Sequence, residues 1–199
     1  DPDLVLAFSD LQADIVADLV RAGVAVHVFN QRDVAGILAM IRSLGAMVGA
    51  ADRGERLAQG LEQRLAKIAA TPRPTPRPKV YFEEWDEPLI SGIGWVSELI
   101  EIAGGEDALP HLRAHKAARD RIVSADAVRA AMPDVILASW CGKKVVVDRI
   151  RARGGWSDIP AVRNDRIVEI KSPIILQPGP AALTDGLDAI VNALWSRHP

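Results

Sequence analysis

PDLVLAFSDLQADIVADLVRAGVAVHVF, residues 2–29, is the stretch that decides the fold class. Residues 4–8 are a short apolar run behind a Pro-Asp turn, the pattern of a strand buried on both faces. Leu11, Ile15 and Leu19 then recur every fourth residue, which is a helical stripe. Gly23 is a helix stop, and residues 24–29 form a second apolar run. Strand, helix and strand in one short segment make the building unit of a parallel sheet. Downstream, Asp33 is placed to cap a helix with Val34, Ile37, Leu38, Ile41 and Leu44 on one side. Leu57, Leu61, Leu65 and Ile68 continue as another helix of about 19 residues, roughly 28 Å long at the ordinary rise per residue.

The character changes at TPRPTPRP (71–78), whose four prolines remove backbone donors and hold the chain extended. This is a surface connector, and a long helix followed by a stiff connector predicts two lobes joined by a rigid spacer. Beyond it, strands are expected over 80–84, 135–139 and 167–170. Helices are expected over 95–103, 125–132 (capped by Ser124), 143–153 and 181–196. The motif PDLVLA (2–7) returns as PDVILA (133–138), each copy followed by a helix and a strand. Related lobes explain the repeat. A strand and two helices precede the second copy but not the first, so roughly 50 residues of the first lobe are expected to be absent from this chain. The expected architecture is α/β, with two Rossmann-like lobes of parallel sheet and the first lobe incomplete. Residues 1–50 would be a partial N-terminal lobe, 51–78 the bridging helix and connector, and 79–199 the C-terminal lobe.

With 49% hydrophobic residues among 199, the chain can bury a core. Its 24 basic and 26 acidic residues leave a formal charge of -2, which supplies neither a basic field for nucleic acid nor a polybasic membrane patch. The single cysteine, Cys141, excludes an intramolecular disulfide. No apolar run approaches the ~20 residues of a membrane-spanning helix. The sequence opens on Asp1 rather than Met and shows no signal segment, so something upstream of it is expected to be missing here.

Ligands of open α/β sheets bind beyond the carboxyl ends of the strands. An aromatic residue stands at the carboxyl end of the first expected strand, Phe8, and directly after two others, Trp85 and Trp140. Such rings either grip a large, partly flat ligand or cap the end of the sheet. Three segments carry a family resemblance. KVYFEEWDEPLISGIGWVSELIEIAGGED (79–107) resembles the opening of the second lobe in helical-backbone (class III) periplasmic binding proteins of ABC importers, which take up iron–siderophores, haem and cobalamin. PDVILASWCGKK (133–144) and IPAVRNDRIVEIKSPIILQPGPAALTDGLDAIVNAL (159–194) resemble the cobalamin-binding branch. The resemblance covers essentially the whole chain and implies a ligand held between two lobes bridged by one helix. It places Phe8 on the first-lobe side of the cleft, Glu84, Trp85, Leu89 and Ile90 after the second lobe's first strand, and Trp140 and Cys141 after its middle strand. Ile174, Ile175 and Gln177 fall on the last cleft loop, where the family usually carries acidic, aromatic and basic residues. Asp126 stands where the family places an acidic residue that meets arginines of the permease.

The resemblance implies a solute-binding component that captures cobalamin or a related corrinoid and passes it to permease transmembrane subunits, in the periplasm or on the outer face of the cytoplasmic membrane. An iron–siderophore or haem binder of the same fold is the alternative. No cofactor is implied beyond a metal carried inside the ligand, and no nucleic-acid partner. Enzyme chemistry would have to use Cys141 or the acidic cluster Glu83, Glu84, Asp86 and Glu87. Neighbouring strand residues point to opposite faces, so Glu83 and Glu84 do not share a ligand, and a solvated loop with one cleft-facing carboxylate is expected. His111 and His115 are spaced i, i+4, but no further zinc ligands accompany them.

Overall fold

The computed structural model describes residues 2–196, so the outermost ends of both expected lobes, Asp1 and 197–199, lie outside it. The first strand, β1 (Val5–Phe8), leads through a tight turn at Asp10–Gln12 into α1 (Ala13–Arg21) and then β2 (Val26–Phe29). The strands are parallel, with Val5 opposite Val26 and Phe8 opposite Phe29. Gly23, at φ 80°, reverses the chain after α1 as expected. Burial departs from expectation. Leu4 and Leu6 of the first run remain 38% and 46% exposed, and Leu11 and Ile15 of the helical stripe are more open still. A sheet of two strands is too narrow to cover both of its own faces and a helix as well.

The next two helices are better buried. Asp33 caps α2 (Val34–Met47), its Oδ1 accepting from the Gly36 amide at 2.6 Å. Val34, Ile37, Leu38 and Ile41 form its buried face, while Leu44 is half-buried. The long helix α3 (Ala51–Ala69) buries Gly54, Ala58, Leu61 and Leu65, a spacing close to 3.6 residues per turn that leaves Leu57 outside. The two helices cross where Gly45 meets Gly54. A Cβ on Gly45 would stand 3.0 Å from the Gly54 Cα, so a side chain there would push the two backbones apart by a few tenths of an ångström. Residues 71–78 then run without helix or strand.

The remaining chain builds one sheet. Its strands are β3 (Lys79–Asp86), β4 (Leu89–Ser91), β5 (Glu106–Asp107), β6 (Val135–Ala138) and β7 (Ile167–Glu169), in the order β4-β3-β6-β7 with β5 beside β3. All pairings are parallel except β3 with β4. The helices are α4 (Gly94–Ile102), α5 (Ala125–Ala131), α6 (Val147–Arg151), α7 (Pro160–Arg163), α8 (Ser172–Ile175) and α9 (Leu187–Trp195), the last entered through a π-helical turn at Ala182–Gly186. Ser124 caps α5, accepting from the Ala127 amide at 3.1 Å. The helix expected over 143–153 is only the short α6, and β4, β5, α7 and α8 lacked a readable period.

Strand alternation divides the core. Val80, Phe82, Val135 and Leu137 face one side with α4 and α9, whereas Tyr81, Ile136 and Ala138 face the other with Trp140, Trp156 and Ile159. The first of these clusters continues without a break into α2 and α3. Arg64 of α3 also pairs with Asp188 of α9 at 2.5 Å. The long helix is therefore built into the core beside the second sheet.

The acidic cluster corrects an expectation. It is not a solvated loop, because β3 runs on through Asp86, and Glu83 and Asp86 are 0% and 4% exposed. Glu83 accepts from Trp140 Nε1 and Arg153 NH2, each at 2.9 Å, and Asp86 meets Lys143 at 2.5 Å and Arg149 at 3.3 Å. Neutralising partners make that burial tolerable.

Candidate ligand-binding cleft

The chain opens a cleft where the carboxyl end of β1 faces the second sheet. Beyond Phe8 the backbone turns sharply through buried Ser9, whose φ is 72° and whose Oγ accepts from the Leu11 amide at 3.2 Å. Gln12 Oε1 accepts from the Phe8 amide at 2.7 Å and holds this turn over the strand end. Across the gap lie Glu84 near the end of β3, residues 116–121, Cys141 just after β6, and Leu176 with Gln177 just after α8. The two walls also touch directly. Gln31 Nε2 donates to the Pro178 carbonyl at 3.2 Å, and Glu98 Oε2 accepts from the Val34 amide at 2.8 Å. At Gly94 the Arg32 carbonyl comes so near that a Cβ would stand 2.5 Å from it.

The cleft encloses about 340 Å³. An adjoining hollow of about 350 Å³, between Leu6, Phe29, Met40 and Gln177–Gly179, shares Phe8 and Gln177 with it. Its floor is apolar, from Phe8, Ile93, Trp95 and Leu176. Trp95 is locked by its indole N–H, which donates to the Ile175 carbonyl at 2.8 Å. Two pairs of charged groups stand out. Arg121, 1% exposed, grips Glu84 with two hydrogen bonds at 2.7 and 3.1 Å and also donates to the Ser91 carbonyl. Arg32 meets Asp10 at 3.1 Å while lying 5.1 Å from the centre of the Phe8 ring. A mixed floor and rim of this kind suits a large organic ligand with polar edges.

Residues 1–174 match the family described as periplasmic binding protein. This chain belongs to the periplasmic binding protein family. It is 24% identical over 208 aligned residues to an uncharacterised ABC transporter substrate-binding lipoprotein of Bacillus subtilis, covering 98% of this chain and 62% of that protein. It is 25% identical over 189 residues to a vitamin B12-binding protein of Vibrio parahaemolyticus, covering 92% of this chain and 65% of that one. This periplasmic binding protein chain thus spans a little under two thirds of the length of both curated relatives. Among solved structures, the periplasmic heme-binding protein of Roseiflexus sp. RS-1 superposes with a TM-score of 0.77 at 27% identity, over 98% of this chain and 77% of that one. The shared architecture is α/β, with parallel sheets and a helical backbone, as the sequence predicted.

For this periplasmic binding protein, the structure brings together four of the ten cleft residues expected from sequence: Phe8, Glu84, Cys141 and Gln177. The other six lie elsewhere. Trp140 is 1% exposed and inside the second core cluster, its N–H spent on Glu83. Trp85 packs against that same cluster beneath the Lys143 ammonium, 4.1 Å from the ring centre, and donates to the Glu87 carbonyl at 2.9 Å. Glu84 faces the cleft, whereas Glu83 and Trp85 lie with the second cluster, the register of β3 against β4 shifting between those two residues. Leu89 packs against the same cluster, and Ile90 pairs across to Ile122. Ile175 is fully buried in the first core cluster, with Ile174 packed against it. The sequence reading missed Arg32, Trp95, Lys116, Arg119, Arg121 and Leu176. Only a charge-rich stretch around 113–121, with no period or motif, marked part of this wall. Asp126 sits in the first turn of α5 with its side chain 83% exposed, 3.2 Å from Arg129.

Proposed function

We propose that this chain is the ligand-capturing part of a solute-binding component of an ABC importer, with residues 1–50 in one lobe, 51–78 bridging, and 79–199 in the other. The observation that carries the reading is the cleft itself. It lies at the carboxyl ends of parallel strands from two sheets, with an apolar floor and a polar rim contributed from both sides. The protein works outside the cytoplasmic membrane, takes a large organic metal complex, and hands it unchanged to permease transmembrane subunits. Capture of this kind requires no catalytic group, and Cys141 serves as a small lining residue.

Cobalamin or a related corrinoid is one cargo consistent with the Vibrio relative. Haem and ferric siderophores form the second reading. The observation favouring it is that the expected tryptophan walls, Trp85 and Trp140, point away from the cleft, while its rim is rich in cations. Asp126, exposed at the start of α5, is the proposed permease contact. Native mass spectrometry of the protein against cyanocobalamin, haemin and a ferric hydroxamate siderophore tests the proposal. One-to-one capture of one of them without chemical change is expected. Failure to capture any of the three, or turnover that disappears in Cys141→Ala, would sink it.

A further inference from the structure

Taking the cleft as the cargo site, we infer that Lys143, which does not itself line the cleft, is a positioning residue for its wall: it clamps the turn that carries Cys141. After β6 the chain makes a four-residue turn, Trp140 to Lys143, closed by the Lys143 amide donating to the Trp140 carbonyl at 3.2 Å. Gly142, at φ 76°, supplies the left-handed step that such a turn needs at its third residue. Cys141, at the tip, is exposed and lines the cleft. Nothing wedges this tip from the side, because a Cβ on Gly142 would meet no atom within 4 Å. Its position is therefore set by its two ends. Trp140 secures the entry, buried and bonded to Glu83 at 2.9 Å. Among the described residues, Lys143 is the one member of 141–144 whose side chain makes a hydrogen bond or an ion pair.

Lys143 holds the exit through three contacts at once. Its ammonium donates to buried Asp86 at 2.5 Å and stands 4.1 Å from the Trp85 ring centre and 5.1 Å from that of Trp140. Attraction of the cation to two indole faces adds to the ion pair. Trp85 and Asp86 both belong to β3, so the turn is tied to the end of a central strand. Arg149 of α6 shares the cluster, 3.3 Å from Asp86 and 5.6 Å from the Trp140 ring centre, but it lies beyond the turn. It still neutralises Asp86 when Lys143 is replaced, so Lys143→Met frees the turn without stranding a buried charge. A tip that is free before capture has to be ordered by the cargo, and that ordering subtracts from affinity. Lys143 orders it beforehand.

The test uses Cys141, the single cysteine of the chain, as the attachment point for a nitroxide spin label. Electron paramagnetic resonance should show a motionally restricted label in the wild type and in Lys143→Arg, whose guanidinium can still stack on an indole and pair with Asp86. In Lys143→Met the restricted component should be lost to nanosecond motion of the tip. Arg149→Met removes a charge from the same cluster, outside the turn, and should keep that component. A label that stays restricted in Lys143→Met, or that is freed equally in Arg149→Met, overturns the assignment. In a second arm the unlabelled protein is titrated by native mass spectrometry with cyanocobalamin, haemin and a ferric hydroxamate siderophore. Whichever is captured should bind Lys143→Met roughly three- to tenfold more weakly than wild type, and Lys143→Arg within about twofold of it. Unchanged affinity beside a mobile turn would refute the link to the cleft. Capture of none of the three fails the cargo reading itself, and the spin-label spectra then decide alone whether Lys143 holds the turn.

Discussion

Replacing Glu84 with leucine should destabilise the protein more than any other single change on the cleft wall. Arg121 is 1% exposed, and its guanidinium is neutralised by Glu84 through contacts at 2.7 and 3.1 Å. Removing one partner of a buried pair leaves an uncompensated charge and costs about 3–5 kcal/mol. Two features place this case at the lower end, about 3 kcal/mol. Glu84 is itself 18% exposed, so water can reach the vacated position, and Arg121 keeps the Ser91 carbonyl. With a urea dependence of about 1–3 kcal/mol per molar, the unfolding midpoint should fall by roughly 1–3 M at unchanged slope. Buried Trp95 and Trp156 make tryptophan emission a suitable probe. The control is Glu84→Leu/Arg121→Met. Exchanging both members of a buried pair for apolar residues is often neutral or stabilising by about 1–4 kcal/mol, so the double variant should recover most of the loss. A single variant within about 1 kcal/mol of wild type, or a double variant as weak as the single, would refute this account of the wall.

Further outcomes follow from other contacts. In Gly94→Ala the new Cβ meets two backbone carbonyls, Arg32 at 2.5 Å and Arg113 at 3.2 Å, neither of which can rotate away. A loss of about 1–3 kcal/mol is expected by thermal unfolding, and an unchanged Tm would show that the two walls are not in contact there. Trp140→Phe removes the donor to the buried Glu83 carboxylate and should cost about 1–3 kcal/mol. It should leave cargo affinity unaltered, and a parallel loss of affinity would return Trp140 to the cleft. Asp86 gives a pH signature. Burial raises its pKa, but the Lys143 hydrogen bond and the Arg149 charge together outweigh this and hold the carboxyl below its usual range. A depressed carboxyl contributes stability above its unfolded pKa, near 3.9, that is lost as the pH falls through the folded value. Asp86→Asn should therefore be less stable than wild type at pH 7, with the gap closing in acid; a gap that widens in acid would contradict the sign.

What the sequence determined by itself was what depends on near neighbours along the chain. The strand–helix–strand opening, the Asp33 and Ser124 caps, the 3.6-residue period of Ala51–Ala69 and the proline connector all follow from contacts within a turn or two. Those local rules also set Glu83 and Glu84 on opposite faces, as the structure has them. They did not say which face meets the cleft. That depends on partners far away in sequence: Arg153, 70 residues from Glu83, and Arg121, 37 residues from Glu84. The same distance effect accounts for Trp85 and Trp140. An aromatic residue at a strand end looks alike from sequence whether it meets a ligand or a neighbouring helix, and here the packing of the second cluster claims both rings. Only the tertiary structure decided the cleft wall. The charge of Lys116, Arg119 and Arg121 is visible in the sequence, but whether each charge is buried, paired or free depends on which carboxylates the fold brings within about 4 Å.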